Sequence, residues 1–219
     1  MSYRLALQTD VHELTDRFHV TQVLAFHERN SEIAPTGLVA AIFGKQSERL
    51  LDECRWGLMP YWAKASVQAD TRSALTNKSF DYMLKRQRCI IPCSSYYSVT
   101  PGQRGRKPER RLLHKGRLLA IAGVYDLYKN PYGEELRTCT ILSVPARSAG
   151  QDGPVPMLLS PAQMDAWLST EFLAKGDLVE MVEDIAAIQP ETAGQQKDQV
   201  TTPNERLATT RTALTRQGK

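Results

Sequence analysis

Long apolar runs are missing from this chain. No stretch of its 219 residues approaches the length needed to span a bilayer as a helix, and the first residues hold no apolar targeting segment. Histidine is scarce: His12, His19, His27 and His114 stand apart, without the partners that would make a catalytic constellation. Cysteine is equally scarce. Cys89 and Cys93 are four apart, but Pro92 lies between them and no histidine is near, so a zinc site is not expected. No metal and no cofactor are expected at all. Buried free thiols in a reducing compartment are the plainer reading of the four cysteines, and a cytoplasmic location follows as an expectation. There is no internal repeat.

What is present suits one substantial core. The chain is 42% hydrophobic, and a single domain over residues 1–190 is expected. Residues 191–219 have few large apolar groups and read as a polar tail, either exposed and disordered or, being basic, in contact with nucleic acid. Lysine and arginine number 28 against 24 acidic residues, a formal charge of +4, which permits polyanion binding without demonstrating it. The distribution says more. Arg104, Arg106, Lys107, Arg110, Arg111, Lys115 and Arg117 are opposed only by Glu109. This run suits phosphates along a cleft, or a solvated hairpin loop.

The pattern of elements predicts an α+β, mainly β fold with short strands around a polar cleft and peripheral helices. Strands are expected over residues 3–7, 23–26, 38–43, 53–57 and 137–144, with another opening at Ile90-Ile91. Thr9 is expected to cap a helix to about Phe18, with Val11, Leu14 and Phe18 on one side. Residues 33–37 read as a turn, residues 79–87 as a helix, and the polar stretch from Leu58 to Asn77 as an irregular loop. Arg111 to Leu113 is expected to pair with Leu118 to Tyr125 around Lys115-Gly116. Ser160-Pro161 starts a helix running to about Leu168, with a second beginning near Thr170.

Four segments look like parts of one polar cleft: residues 55–62 (RWGLMPYW), Asp70-Thr71-Arg72, residues 89–97, and Val155-Pro156-Met157-Leu158-Leu159. Taken with Arg4, Ile33-Ala34-Pro35-Thr36, Lys78-Ser79-Phe80, Ala122-Gly123, Thr138 to Leu142 and Trp167-Leu168, their order and spacing resemble the SOS-response-associated peptidase (SRAP, abasic-site-processing) family from Met1 to roughly residue 190. The resemblance implies binding to single-stranded DNA and its junctions. It also implies capture of the abasic-site aldehyde by an N-terminal cysteine, whose amine and thiol form a stable thiazolidine. Asn, Glu and His then position the terminus and move protons.

Carried onto this chain, the reactive set becomes Ser2 for the cysteine, Asp70 for the asparagine, Ser98 for the glutamate and Asp152 for the histidine. A hydroxyl is a poorer nucleophile than a thiol, and an oxazolidine reverses readily. Asp152 has a reference pKa of about 3.9, far below histidine. The binding set is better kept: Arg4 and Arg72 for phosphates, Trp56 and Trp62 for stacking on unpaired bases, Lys78 for a flanking phosphate, and Pro35 and Thr36 for the pocket wall. Arg4 has a structural ion pair as its alternative, and Trp56 a place in the core. One of Tyr96 and Tyr97 is expected in the core and the other toward the cleft. The expectation is a monomer that binds or shields single-stranded or abasic-site DNA noncovalently, nucleoid-associated when bound. An active crosslinker, lyase or autopeptidase, and a protein-binding module, are the alternatives.

Overall fold

Strand β4 (Leu38–Lys45) feeds two cores at once. Val39, Ala41 and Phe43 enter one and Ala40 and Ile42 the other, because successive strand side chains leave opposite faces. The structure is a computed structural model and describes residues 2–26, 30–59, 66–100, 109–145 and 153–189. The remaining strands are β1 (Ser2–Leu7), β2 (Gln22–Val23), β3 (Asn30–Ile33), β5 (Glu48–Trp56), β6 (Gln68–Asp70), β7 (Arg88–Thr100), β8 (Glu109–Lys129), β9 (Glu135–Pro145) and β10 (Pro154–Pro156). The helices are α1 (Val11–Phe18), α2 (Thr71–Thr76), α3 (Lys78–Arg86), α4 (Pro161–Leu168) and α5 (Lys175–Ala187). The fold is α+β with more strand than helix, as the sequence pattern predicts. Among the described residues no helix is long and apolar enough to cross a membrane.

The sheet closes on itself. β9 pairs β5, β5 pairs β4, β4 pairs β7, β7 pairs β8, and β8 returns to β9, which makes a five-stranded barrel. Its interior holds Val39, Ala41, Phe43, Trp56, Ile91, Ile121, Ile141 and all four cysteines. The outer face carries a second core, in which Leu51, Ile90, Ala122 and Leu142 meet the buried sides of α1, α3, α4 and α5. Two strands outrun the ring. β7 passes from β4 to β1 along one edge, and β9 passes from β5 to β6 along one edge and from β8 to β10 along the other.

Local chemistry sets the helix ends, with some departures from expectation. Asp10, not Thr9, caps α1 by accepting from the Glu13 amide at 2.8 Å, while Thr9 donates to the Glu13 carboxylate at 2.8 Å. The start of α4 follows expectation: Pro161 occupies its first turn and the Ser160 amide donates to Gln163 Oε1 at 2.9 Å. α5 begins at Lys175 rather than near Thr170. The intervening chain first passes Arg88, which is 3% exposed and donates to the carbonyls of Trp167 (2.8 Å), Leu84 (2.9 Å), Lys85 (2.8 Å) and Ser169. Burial lowers its pKa to about 10, and it still ties the ends of α3 and α4 to β7. Gly44 lets α4 approach directly, since a Cβ there would lie 1.9 Å from the Leu168 carbonyl oxygen.

The hairpin expected at Lys115-Gly116 is replaced by one 21-residue strand, β8. Pairing with β7 overrides the local turn signal, β9 joining only at residues 123–129, and two register shifts against β7 absorb the mismatch. The stretch expected to be an irregular loop contains β6 and α2, both too short to announce themselves. The strand expected over residues 23–26 shrinks to β2, which runs parallel to β5.

Candidate functional site

The two mouths of the barrel are finished differently. At one, the Arg137 guanidinium lies 4.5 Å from the Phe43 ring centre and 6.0 Å from that of Tyr125, and pairs with Asp52. Phe43 and Tyr125 meet edge to face at 4.8 Å. This mouth is plugged by a cation whose charge is already answered.

At the other mouth, polar groups from distant segments converge. Tyr96 is fully buried and its hydroxyl donates to Gln68 Oε1 at 2.8 Å. Tyr3 stacks on Tyr96 with ring centres 5.3 Å apart. Burial raises the pKa of both phenols, with Gln68 partly offsetting the rise at Tyr3, so both stay protonated at neutral pH. Of the tyrosine pair on β7, Tyr96 therefore takes the core place and Tyr97 the half-buried one.

Beyond this mouth the backbone of β7 runs between β1 and β8. Ser2 is opposite Val99, which is opposite Arg110; Tyr3 is opposite Ser98, which is opposite Arg111. His114 is opposite Tyr96. The ladder thus brings Ser2, Ser98 and part of the basic run into one register. Arg4, the next residue along β1, pairs with Glu32 at 3.4 Å and donates to the Tyr3 carbonyl at 2.8 Å.

The end of β9 gathers the remaining segments. Ser143 is opposite Asp70 on one edge and opposite Pro156 on the other. Asp70 Oδ1 caps α2, accepting from the Ser73 amide at 3.0 Å and its hydroxyl at 3.1 Å. The cap presents Arg72 on an exposed position of α2, and Lys78 is exposed at the start of α3. The Pro35-Thr36 turn is tied to the end of β5: the Thr36 amide donates to the Trp56 carbonyl at 2.7 Å, and the Trp56 amide to the Gly37 carbonyl at 2.8 Å. Thr36 takes a left-handed φ of 72° to make these bonds.

Trp56 corrects an expectation. It does not offer a ring to bases; it is 0% exposed and its indole N–H donates to the Val67 carbonyl at 2.9 Å. β5 runs on to residue 56, so Trp56 shares the inward parity of Cys54. Trp62 and Asp152 lie outside the described residues, and for Ser2 and Ser98 the structure gives backbone register. Gln68 and Tyr3 escaped the sequence reading. Gln68 and Asp70 share a parity in β6, a signal hidden by reading that stretch as a loop.

No thiol reaches this mouth. Cys54, Cys89, Cys93 and Cys139 are all free and buried in the barrel, and burial raises the pKa of Cys54, Cys89 and Cys93. Among the described residues no cluster of three or more His, Cys, Asp or Glu side chains could hold a metal ion.

Comparison with known proteins finds relatives in sequence and in fold. The family model "SOS response associated peptidase (SRAP)" matches residues 1–198. The abasic site processing protein YoqW of Bacillus subtilis is 29% identical over 182 residues, covering 77% of this chain and 80% of YoqW. A crystal structure of a protein from Bacteroides thetaiotaomicron shares the fold with a TM-score of 0.66 at 18% identity, over 82% of this chain and 85% of that one. One from Bordetella bronchiseptica does so with a TM-score of 0.61 at 23% identity, over 82% and 92%.

Proposed function

The chain belongs to the SOS response associated peptidase (SRAP) family, and from this premise we propose that it binds and shields single-stranded or abasic-site DNA at the barrel mouth flanked by β1, β7 and β8, without the stable adduct that the resemblance implies for cysteine-bearing members. The observation that carries this reading is the three-strand ladder, which sets Ser2 and Ser98 in register with Arg110 and Arg111. A basic strand beside the terminus supplies phosphate contacts where the reactive residue stands.

Two of the binding groups are open to solvent. Arg72 and Lys78 are exposed. Arg4 is held by Glu32 and the Tyr3 carbonyl, so a phosphate reaching its guanidinium competes with both. Trp62 stays in the proposal as the stacking platform. The name of YoqW as an abasic site processing protein supports the choice of nucleic acid.

The covalent chemistry lacks its parts. Once Met1 is removed by hydrolysis of the Met1–Ser2 bond, which the small serine side chain favours, the freed Ser2 amine can add to an aldehyde and lose water to give an imine. Closing the ring then falls to a hydroxyl, whose adduct opens again, and every thiol in the chain is sealed in the barrel. Residue 98 is serine, and the Asp70 carboxylate is committed to capping α2. Fast proton transfer near neutral pH has no candidate among these groups.

Two measurements test the proposal. Native protein incubated with single-stranded DNA carrying one abasic site gives a shifted band on a native gel and no heat-resistant species by denaturing electrophoresis and intact mass; a stoichiometric heat-resistant adduct overturns the noncovalent reading. Arg110→Ala/Arg111→Ala weakens binding and reduces the slope of log K against log salt by about 1.4, the value for two phosphates on a single strand. An unchanged slope removes β8 from the interface.

A further inference from the structure

Between the outer helices, α4 and α5 leave an open groove of about 590 Å³. Ala166, Met181 and Ile188 give it an apolar floor, and Asp177, Glu180 and Asp184 give it an acidic rim. None of the described residues lining it is cationic. Ile188 is 70% exposed there, an uncovered side chain of the kind an intramolecular or partner segment covers. The groove repels DNA and suits a basic segment with apolar side chains.

This chain contains such a segment, and it leaves the described fold at the rim of the groove. Gln189 is fixed there by two bonds to the backbone of Leu158, accepting from its amide at 2.7 Å and donating to its carbonyl at 2.9 Å. Downstream, residues 206–219 contain Arg206, Arg211, Arg216 and Lys219 and no acidic residue. Leu207 and Leu214 are seven apart, two turns of a helix. We propose that residues 206–219 dock into the α4–α5 groove of the same molecule, the cations facing Asp177, Glu180 and Asp184 and the leucines covering the apolar floor.

Reach and concentration favour the intramolecular arrangement. Residues 190–205 can span up to about 50 Å, whereas the 13-residue α5 is about 20 Å long. A covalent connection of this kind gives an effective concentration on the order of millimolar, so even a weak contact is populated. Docking also keeps four cations off other polyanions.

The test compares amide spectra of the full chain and of a chain ending at Asp198. Truncation should shift amides of α4 and α5 selectively, and a synthetic peptide of residues 204–219 added to the shortened chain should restore them. High salt should mimic truncation in the full chain. Asp177→Lys/Glu180→Lys/Asp184→Lys changes exposed positions, so an unchanged far-UV circular dichroism spectrum certifies the fold. It should weaken peptide binding at least tenfold, and Arg206→Glu/Arg211→Glu/Arg216→Glu in the peptide should recover the loss. Unmoved α4 and α5 amides on truncation overturn the proposal, the more decisively if DNA binding falls at the same time. Equal peptide binding by the triple variant overturns it too. Shifts in the full chain that grow with protein concentration overturn it in favour of a second copy's groove.

Discussion

The two mouths of the barrel share one interior but differ in how their polar groups are satisfied. At the Arg137 mouth, a guanidinium, a carboxylate and two aromatic rings answer one another within the fold. At the Tyr96 mouth, hydrogen bonding stops at Gln68 and the phenols, and the strands beyond it bring arginines toward the terminus. A mouth closed by its own ion pair contributes stability. One beside a basic strand is where we propose an anion binds.

Four changes break or sharpen that contrast. The largest effect is expected from Ser2→Cys. It places a thiol beside the terminal amine and should turn the absence of a heat-resistant DNA adduct into near-stoichiometric capture by intact mass; a variant that stays unreactive shows that residues 98 and 152, not the nucleophile, limit the chemistry. Next comes alkali. The barrel thiols have raised pKa values, so the folded chain keeps protons that the unfolded chain releases above about pH 8.5. Stability is therefore full below that pH and falls as pH rises, by about 1.4 kcal/mol per pH unit for each thiol. Denaturant midpoints between neutral and alkaline pH read this directly, and a flat profile contradicts the burial.

Arg137→Ala should cost about 2 kcal/mol of stability, because it leaves Asp52 unpaired and removes the cation over two rings. DNA binding should hardly change; a parallel loss of affinity would erase the distinction between the mouths. Smallest is Tyr96→Phe, which deletes the hydroxyl bonded to Gln68 and should cost about 1 kcal/mol in the unfolding midpoint.

Elements with strong local signals were legible in the sequence. β4 and β9 follow their apolar runs, and α4 follows Ser160-Pro161. β8 was not, because Lys115-Gly116 signals a turn locally while pairing with the neighbouring β7 carries the strand through it. Nor were β6 and α2, which span 3 and 6 residues. In the candidate site, residue types were legible and neighbours were not. The exposure of Arg72 and Lys78 agrees with their charge, but the burial of Trp56 depends on how far β5 continues. The meeting of Tyr3, Tyr96 and Gln68 depends on pairings between segments up to 93 residues apart in sequence, Tyr3 to Tyr96, that no local pattern encodes.

Sealing every cysteine inside the barrel makes the rest of the chain a blank canvas for sulfhydryl chemistry. One cysteine introduced at an exposed position is then the sole addressable handle on the folded molecule. A dye or spin label attached there reports from a single known point without any native residue having to be removed first.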